Sequence, residues 1–192
     1  MTSTEAPCIE NFRIRRMRES DVPGIMAIES VSFGKHHWSA DSFKNEMNNN
    51  YGRYFVLVDA EDESRLYGYC GYWAILDEVH ITTVAVSPEL RGRSLGEVLV
   101  IHMLERCLGS TVHWVTLEVR RSNYSAQNLY YKYGFKSEGV RPKYYQDNRE
   151  DGIIMTTPDI LSESFRETFR DNKAALKERL GAWPIGLGEN GA

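Results

Sequence analysis

Glu118, Asn123 and Tyr130 fall within one short run, Leu-Glu-Val-Arg-Arg-Ser-Asn-Tyr-Ser-Ala-Gln-Asn-Leu-Tyr-Tyr-Lys-Tyr-Gly-Phe, from Leu117 to Phe135. The apolar residues Val112, Trp114, Val115, Leu117 and Val119 read as a buried strand carrying one acid, Glu118. A polar turn at Arg120–Asn123 leads into a helix that begins near Asn123 and stops at Gly134. Tyr130 lies two helical turns beyond Asn123 and on its face. A carboxylate, an amide and a phenol around one strand–helix junction can move protons in both directions.

A second strand–loop–helix unit lies upstream. Ile81–Val86 reads as a strand and Ser87-Pro88-Glu89-Leu90 as a turn. Arg91-Gly92-Arg93-Ser94-Leu95-Gly96 then enters a helix with Leu95, Leu99, His102 or Met103, and Arg106 at helical spacing. A glycine-containing loop at a helix start presents free N–H groups which, with the helix dipole, bind a phosphate. Arg91 and Arg93 add positive charge, so Gly92–Glu97 reads as a phosphate loop in preference to a plain helix start.

Together these units resemble the GNAT family of acetyl-CoA-dependent N-acetyltransferases. Arg91-x-x-Ser94-x-Gly96 resembles its pyrophosphate loop, with Ser94 where glycine is usual. The Leu-Glu-Val-Arg-x-Ser-Asn…Leu-Tyr-x-x-x-Gly-Phe pattern resembles the RimI-type branch, as do Tyr144-Tyr145, Arg149-Glu150-Asp151, the run Ile153–Met155, and Trp38 after the first helix. The resemblance spans roughly Phe12 to Pro158. It implies an α/β fold with a mixed, mostly antiparallel seven-stranded sheet flanked by helices, in which strands four and five splay around acetyl-CoA.

The resemblance also implies roles. Glu118 is the expected base and Tyr130 the expected acid. Val84, Ala85 and Val86 offer backbone to the pantetheine arm, one N–H polarising the acetyl carbonyl. Arg91, Gly92, Arg93, Ser94, Leu95, Gly96 and Glu97 hold the pyrophosphate. Asn123 caps its helix, contacts the cofactor, or does both. Phe33, Trp38, Tyr144 and Tyr145 either frame a peptide-entry groove or simply pack.

Elementary chemistry favours one acceptor. An α-amine has a pKa of about 8, so on the order of a tenth is neutral at pH 7; a lysine amine, near about 10.4, is almost wholly charged. A carboxylate base has the easier task with an N-terminus. Burial of Glu118 in its strand would raise its pKa and sharpen it as a base; the bland alternative is an ion pair with a neighbour such as Arg120. A phenol near pKa ~10 stays protonated and can supply the leaving thiolate. Tyr131 and Tyr133 read as structural. Ser94 is expected at negative φ with its hydroxyl donating to a phosphate oxygen; at positive φ it would be strained instead.

Length and composition bound the rest. At 192 residues the chain suits one domain. A net charge of −4 argues against broad nucleic-acid binding. Three scattered cysteines, Cys8, Cys70 and Cys107, suggest a reducing compartment. The five histidines show no metal spacing, and His36-His37 do not share a face. No apolar stretch approaches the ~20 residues that span a bilayer, and the first ten residues do not read as a signal peptide. A cytoplasmic enzyme, without metal, membrane or nucleic-acid partner, is expected.

The remaining elements frame these units. Phe12–Met17 alternates as a first strand; Ser20 or Asp21 caps a helix with Pro23 in its first turn and Ile25, Ile28, Glu29 and Phe33 along it. Ser39 starts a second helix carrying Phe43 and Met47. Phe55–Ala60 and Leu66–Ile75 form a hairpin, and Leu76–Val86 a fourth strand. Phe135–Val140 and Asp151–Thr157 make a last hairpin with Pro142–Glu150 as its loop. Residues 1–10 read as disordered, 11–158 as the acetyltransferase domain, and 159–192 as an amphipathic helix and frayed tail. That helix carries Leu161, Phe165, Phe169, Leu176 and Leu180 on one stripe, to pack on its own domain or on a partner.

The expected activity is acetyl transfer from acetyl-CoA to a protein α-amine, which the resemblance narrows to the N-terminal alanine of a small-subunit ribosomal protein. The rivals are acetylation of a lysine or small amine, and a non-catalytic CoA-binding module.

Overall fold

The computed structural model describes residues 12–34 and 37–181. The expectations for residues 1–10, for His36 and for the Trp183–Ala192 tail lie outside them. The elements run β1 (Phe12–Arg16), α1 (Val22–Phe33), α2 (Ala40–Met47), β2 (Gly52–Asp59), β3 (Leu66–Ile75), β4 (Glu78–Val86), α3 (Leu95–Leu108), β5 (Trp114–Arg120), α4 (Tyr124–Lys132), β6 (Lys136–Tyr145), β7 (Glu150–Thr156) and α5 (Glu163–Leu180). One seven-stranded sheet has the order β1-β2-β3-β4-β5-β7-β6. Every pairing is antiparallel except β4 with β5.

Two cores pack against the sheet, and β2 shows why. Its alternate residues Phe55 and Leu57 join a cluster built on α3 and α5, while Tyr54, Val56 and Val58 join one built on α1 and α2. A strand covered on both sides must be apolar throughout. α3 is the central helix, with Val98, Leu99, Val100, Ile101, Met103 and Leu104 all inaccessible. α5 lays Phe165, Phe169 and Leu176 into the same cluster, so the C-terminal stripe packs on its own chain.

The β4–β5 pairing is short. It runs from Glu78↔Trp114 to Ile81↔Leu117 and ends there, although β4 continues to Val86 and β5 to Arg120. The strands fork beyond that point, as expected. A cause is visible on the other edge of β4. The β3–β4 register jumps from Tyr72↔Ile81 to Gly71↔Thr83, leaving Thr82 as a bulge. A bulge bends its strand and strengthens the local twist. Tyr54 supports it, its hydroxyl 3.0 Å from Thr82 Oγ1. Gly71 makes room, because a Cβ there would lie 2.1 Å from the Tyr54 ring.

Four local expectations need correction. Trp114 opens β5 on the outward parity and is 41 % exposed, whereas Val115, Leu117 and Val119 point inward. Pro142–Tyr145 belong to β6, not to a loop, because β6 is the sheet's edge and an edge strand tolerates proline. Asp21 sits at the α1 N-cap, but its carboxylate accepts from the Arg15 guanidinium and the Arg18 N–H instead of capping. Tyr131 is 46 % exposed, so of the two tyrosines read as structural only Tyr133 is buried.

Candidate active site

Glu118 is the first residue of β5 past the fork. Its side chain is only 5 % exposed and meets two bases. His80 Nε2, from β4, lies 3.1 Å from Oε2, and Arg141 Nε, from β6, lies 2.9 Å from Oε1. The hydrogen bond from His80, with the charges of His80 and Arg141 and a hydrogen bond from Tyr144, holds the carboxyl below its usual range against the opposing effect of burial. This reverses the expected rise. Glu118 does form an ion pair, though not with Arg120, which binds Asp147 at 2.8 Å and Glu150 at 3.4 Å.

Two tyrosines close over this acid. Tyr145 donates to the Glu118 carbonyl at 3.3 Å, and Arg120 stacks on its ring at 4.0 Å. Tyr144 meets Tyr145 edge-on at 5.1 Å, with Arg141 over its own ring at 5.6 Å. On the opposite side His80 stacks on Trp73 at 5.9 Å. Trp73 in turn donates to Glu46 of α2 at 2.6 Å. The chain Glu46–Trp73–His80–Glu118–Arg141 therefore ties α2 to the sheet edge. His80 and Arg141 were not singled out in the sequence. The only sequence signal was a histidine whose neighbours Val79 and Ile81 point to the core, which places it on the face shared with Glu118.

Tyr130 is buried against Phe135, ring centroids 5.4 Å apart. Burial drives its hydroxyl pKa up, and Tyr145 lies within electrostatic reach of it. The phenol therefore keeps its proton through the physiological range. Asn123 caps α4 by accepting from the Ala126 N–H at 3.1 Å, the first of its two expected roles.

The residues of the second expected subsite lie at the start of α3. Leu95, Gly96 and Glu97 carry the helix's early N–H groups, and the ladder begins with Val98 donating to the Ser94 carbonyl at 3.0 Å. Gly92 has φ +77° and needs glycine for its backbone alone. Gly96 is different: a Cβ would meet nothing closer than Val86 Cγ2 at 3.9 Å, so the space above it is open to a ligand.

Three residues of that loop differ from expectation. Ser94 is left-handed, φ +63° and ψ +9°, so the negative φ assumed for it is wrong. Arg91 is already engaged, donating to the Val86 carbonyl at 3.2 Å and to Ser32 Oγ at 2.8 Å; it braces the loop against α1. The Glu97 carboxylate accepts from Lys132, from Tyr133 at 2.7 Å and from Arg179 at 2.8 Å, which leaves only its backbone N–H for a phosphate.

A strand fork, an acid at its apex and a helix start at its mouth form one arrangement, and comparison places the chain that carries it in a family. The acetyltransferase (GNAT) family profile matches residues 22–135. The chain belongs to the GNAT family. A Bacillus subtilis (strain 168) protein, named provisionally as a [ribosomal protein bS18]-alanine N-acetyltransferase, is 43% identical over 143 residues, covering 74% of this chain and 92% of that one. The crystal structure of the ribosomal-protein-S18-alanine N-acetyltransferase from Escherichia coli superposes with a TM-score of 0.69 at 28% identity, covering 79% of this chain and 97% of that one. A spermidine N-acetyltransferase from Vibrio cholerae, solved with CoA and spermine, shares the fold with a TM-score of 0.66 at 21% identity, covering 78% of this chain and 96% of that one.

Within this GNAT fold the expected residues fall into three groups. Val84, Ala85 and Val86 lie on the stretch of β4 that β5 no longer pairs. Glu118, Tyr144 and Tyr145 cluster at the apex. Trp38 and Phe33 pack on the other side, Trp38 against Phe43 at 5.3 Å and Tyr54 at 6.2 Å. The Tyr54 hydroxyl in turn lies 3.0 Å from Thr82 Oγ1 of β4, and among the described residues no ring contact joins Trp38 or Phe33 to Tyr144 or Tyr145. Among the described residues no cluster of ligands could hold a metal ion, and no helix is long and apolar enough to cross a membrane.

Proposed function

We propose that this GNAT enzyme transfers acetyl from acetyl-CoA to the N-terminal α-amine of a protein, the alanine of ribosomal protein bS18 being the leading acceptor. The observation that carries the reading is Glu118: an ionised, shielded carboxylate at the apex of the β4–β5 fork. A carboxylate is already a weak base toward an ammonium ion, and the downward shift weakens it further. It suits an amine that arrives neutral, as about a tenth of α-amines do at pH 7 and lysines do not.

The steps follow from that. The acetyl-CoA pyrophosphate rests on the N–H groups of Leu95, Gly96 and Glu97, and the pantetheine arm runs along the free edge of Val84–Val86. The neutral amine attacks the thioester carbonyl, forming the C–N bond. Its nitrogen becomes strongly acidic as it does so, and its proton passes to Glu118, directly or through water, with His80 and Arg141 holding the carboxylate in place. The C–S bond breaks, and the thiolate takes the Tyr130 phenolic proton. Tyr144 and Tyr145 frame the entering peptide, and Trp38 and Phe33 line the approach from the α1–α2 side. The similarity to the B. subtilis and E. coli proteins named for this reaction supports the choice of acceptor.

The test is acetylation of a peptide bearing the bS18 N-terminus, with the acetyl located by mass spectrometry. Transfer to the alanine α-amine is expected, with little to an internal lysine once the N-terminus is blocked. Equal or faster lysine labelling would overturn the assignment.

A further inference from the structure

α5 lies beyond the matched family segment, and its last turn returns to the phosphate loop. Arg179 Nη2 donates to Ser94 Oγ at 3.1 Å and to Glu97 Oε2 at 2.8 Å. Ser94 is the N-cap of α3, so the guanidinium stands at the edge of the N–H groups just described. We propose that Arg179 is a pyrophosphate ligand, and that α5 is a working part of the acetyl-CoA site. The proposal rests on the acetyl-CoA reading above.

Three observations separate this role from plain helix docking. First, α5 is held without Arg179. Phe165, Phe169 and Leu176 are buried in the main core, Asn172 donates to the Lys132 carbonyl at 2.8 Å, and Lys173 pairs with Glu105. An ion pair from a side chain 51 % exposed adds little to that. Second, the guanidinium is underused. Among the described residues only Nη2 donates, and a guanidinium has five N–H groups in a fork suited to phosphate oxygens. Third, the local charge is in excess. Glu97 alone faces Lys132 and Arg179, and Arg93 makes no ion pair among the described residues. Arg91, the arginine expected from the loop motif, donates two N–H groups to neutral acceptors, Ser32 and the Val86 carbonyl, so its charge adds to that excess. Arg179 adds from the C-terminal helix a cation beside those of the loop itself.

The test is CoA binding by calorimetry to the full chain and to Arg179→Ala. The variant is expected to bind CoA about tenfold more weakly, the scale of one partly exposed charge-assisted contact. Dephospho-CoA, which keeps the pyrophosphate, should show the same loss. With S-acetylpantetheine, which lacks the nucleotide, kcat/KM should not change. Ligand-free melting temperatures of the two proteins check the fold, and Arg179→Gln repeats the series should the alanine variant unfold. Binding within twofold of wild type, a loss that vanishes with dephospho-CoA, or an equal loss with S-acetylpantetheine would each overturn the proposal. A wild-type protein that binds no CoA would instead overturn the transferase reading.

Discussion

His80 Nε2 lies 3.1 Å from Glu118 Oε2, across the last pairing before β4 and β5 part. That contact favours the acid's charged form. The hydrogen bond from His80 is the largest single cause holding the Glu118 carboxyl below its usual range. Since the group is already ionised well below neutrality, its titration does not shape activity near pH 7. We expect kcat/KM for an N-terminal acceptor peptide to climb with pH to a plateau near the amine pKa of about 8. Removing His80 takes away a cause that lowers the pKa, so His80→Ala should move the acidic limb of the profile upward. A pH–rate profile decides it: an unmoved acidic limb would show that His80 does not tune Glu118.

Glu118→Gln keeps the shape and removes the proposed proton acceptor. Turnover should fall by roughly 10²- to 10⁴-fold, the range for a positioned acid–base group. CoA affinity, read by calorimetry, should stay within twofold, because the phosphate loop lies at the other end of the fork. A full loss of CoA binding would make Glu118 a structural residue instead.

Tyr130→Phe deletes one hydroxyl and leaves the packing on Phe135 intact. A comparable fall in kcat is expected, with an unchanged melting temperature. The phenol's raised pKa means that the resting enzyme holds this proton throughout the working range, so the variant's loss should be independent of pH. Near wild-type turnover would remove Tyr130 from the mechanism.

Glu29 offers a stability test away from the chemistry. It is buried on α1, accepts from the Trp38 N–H at 2.9 Å, and leaves Oε2 without a partner among the described residues. Burial pushes its pKa up to about 7 from 4.5. The folded state therefore binds more protons than the unfolded state between those values, and stability falls as pH rises through that window. The difference corresponds to at most about 3 kcal/mol above pH 7. Glu29→Gln removes the titration, so it should stabilise the protein at pH 8 and much less at pH 5. Denaturant titrations giving the same increment at both pH values would refute the buried charge.

What was legible in the sequence was what local rules decide. Asn123 and Ser39 cap the helices they precede, with their side-chain oxygens accepting from Ala126 and Ser42. The two-sided burial of β2 follows from its apolar run. Long-range register was not legible. His80 and Arg141 reach Glu118 only because β4 runs parallel to β5 and β6 lies beyond β7. The bulge at Thr82 depends on Tyr54 filling the space above Gly71, a contact between strands. The direction of the Glu118 shift is not legible for the same reason: burial follows from the strand, whereas the contacts with His80 and Arg141 do not. Arg179 is separated from the loop by most of α3 to α5, and no spacing rule connects them.

Ser94 is the position where sequence expectation and backbone disagree most sharply, and two substitutions isolate the cause. Its φ of +63° is costly for any residue with a Cβ, by about 1–2 kcal/mol relative to a right-handed conformation. Its hydroxyl accepts from Arg179, a half-exposed contact contributing about 0.5–1.5 kcal/mol. Ser94→Ala loses the hydroxyl and keeps the strain. Ser94→Gly loses both, at some cost in unfolded-state entropy. Comparing the two variants cancels the hydroxyl and leaves the Cβ. Glycine should therefore exceed alanine in unfolding free energy by about 1 kcal/mol, measured by denaturant titration of both proteins without ligand. Against wild type, Ser94→Gly should come out close to neutral, since the relieved strain and the lost hydrogen bond nearly offset. Should Ser94→Ala equal or exceed Ser94→Gly, the loop is not left-handed in solution, and serine stands in for glycine there without strain.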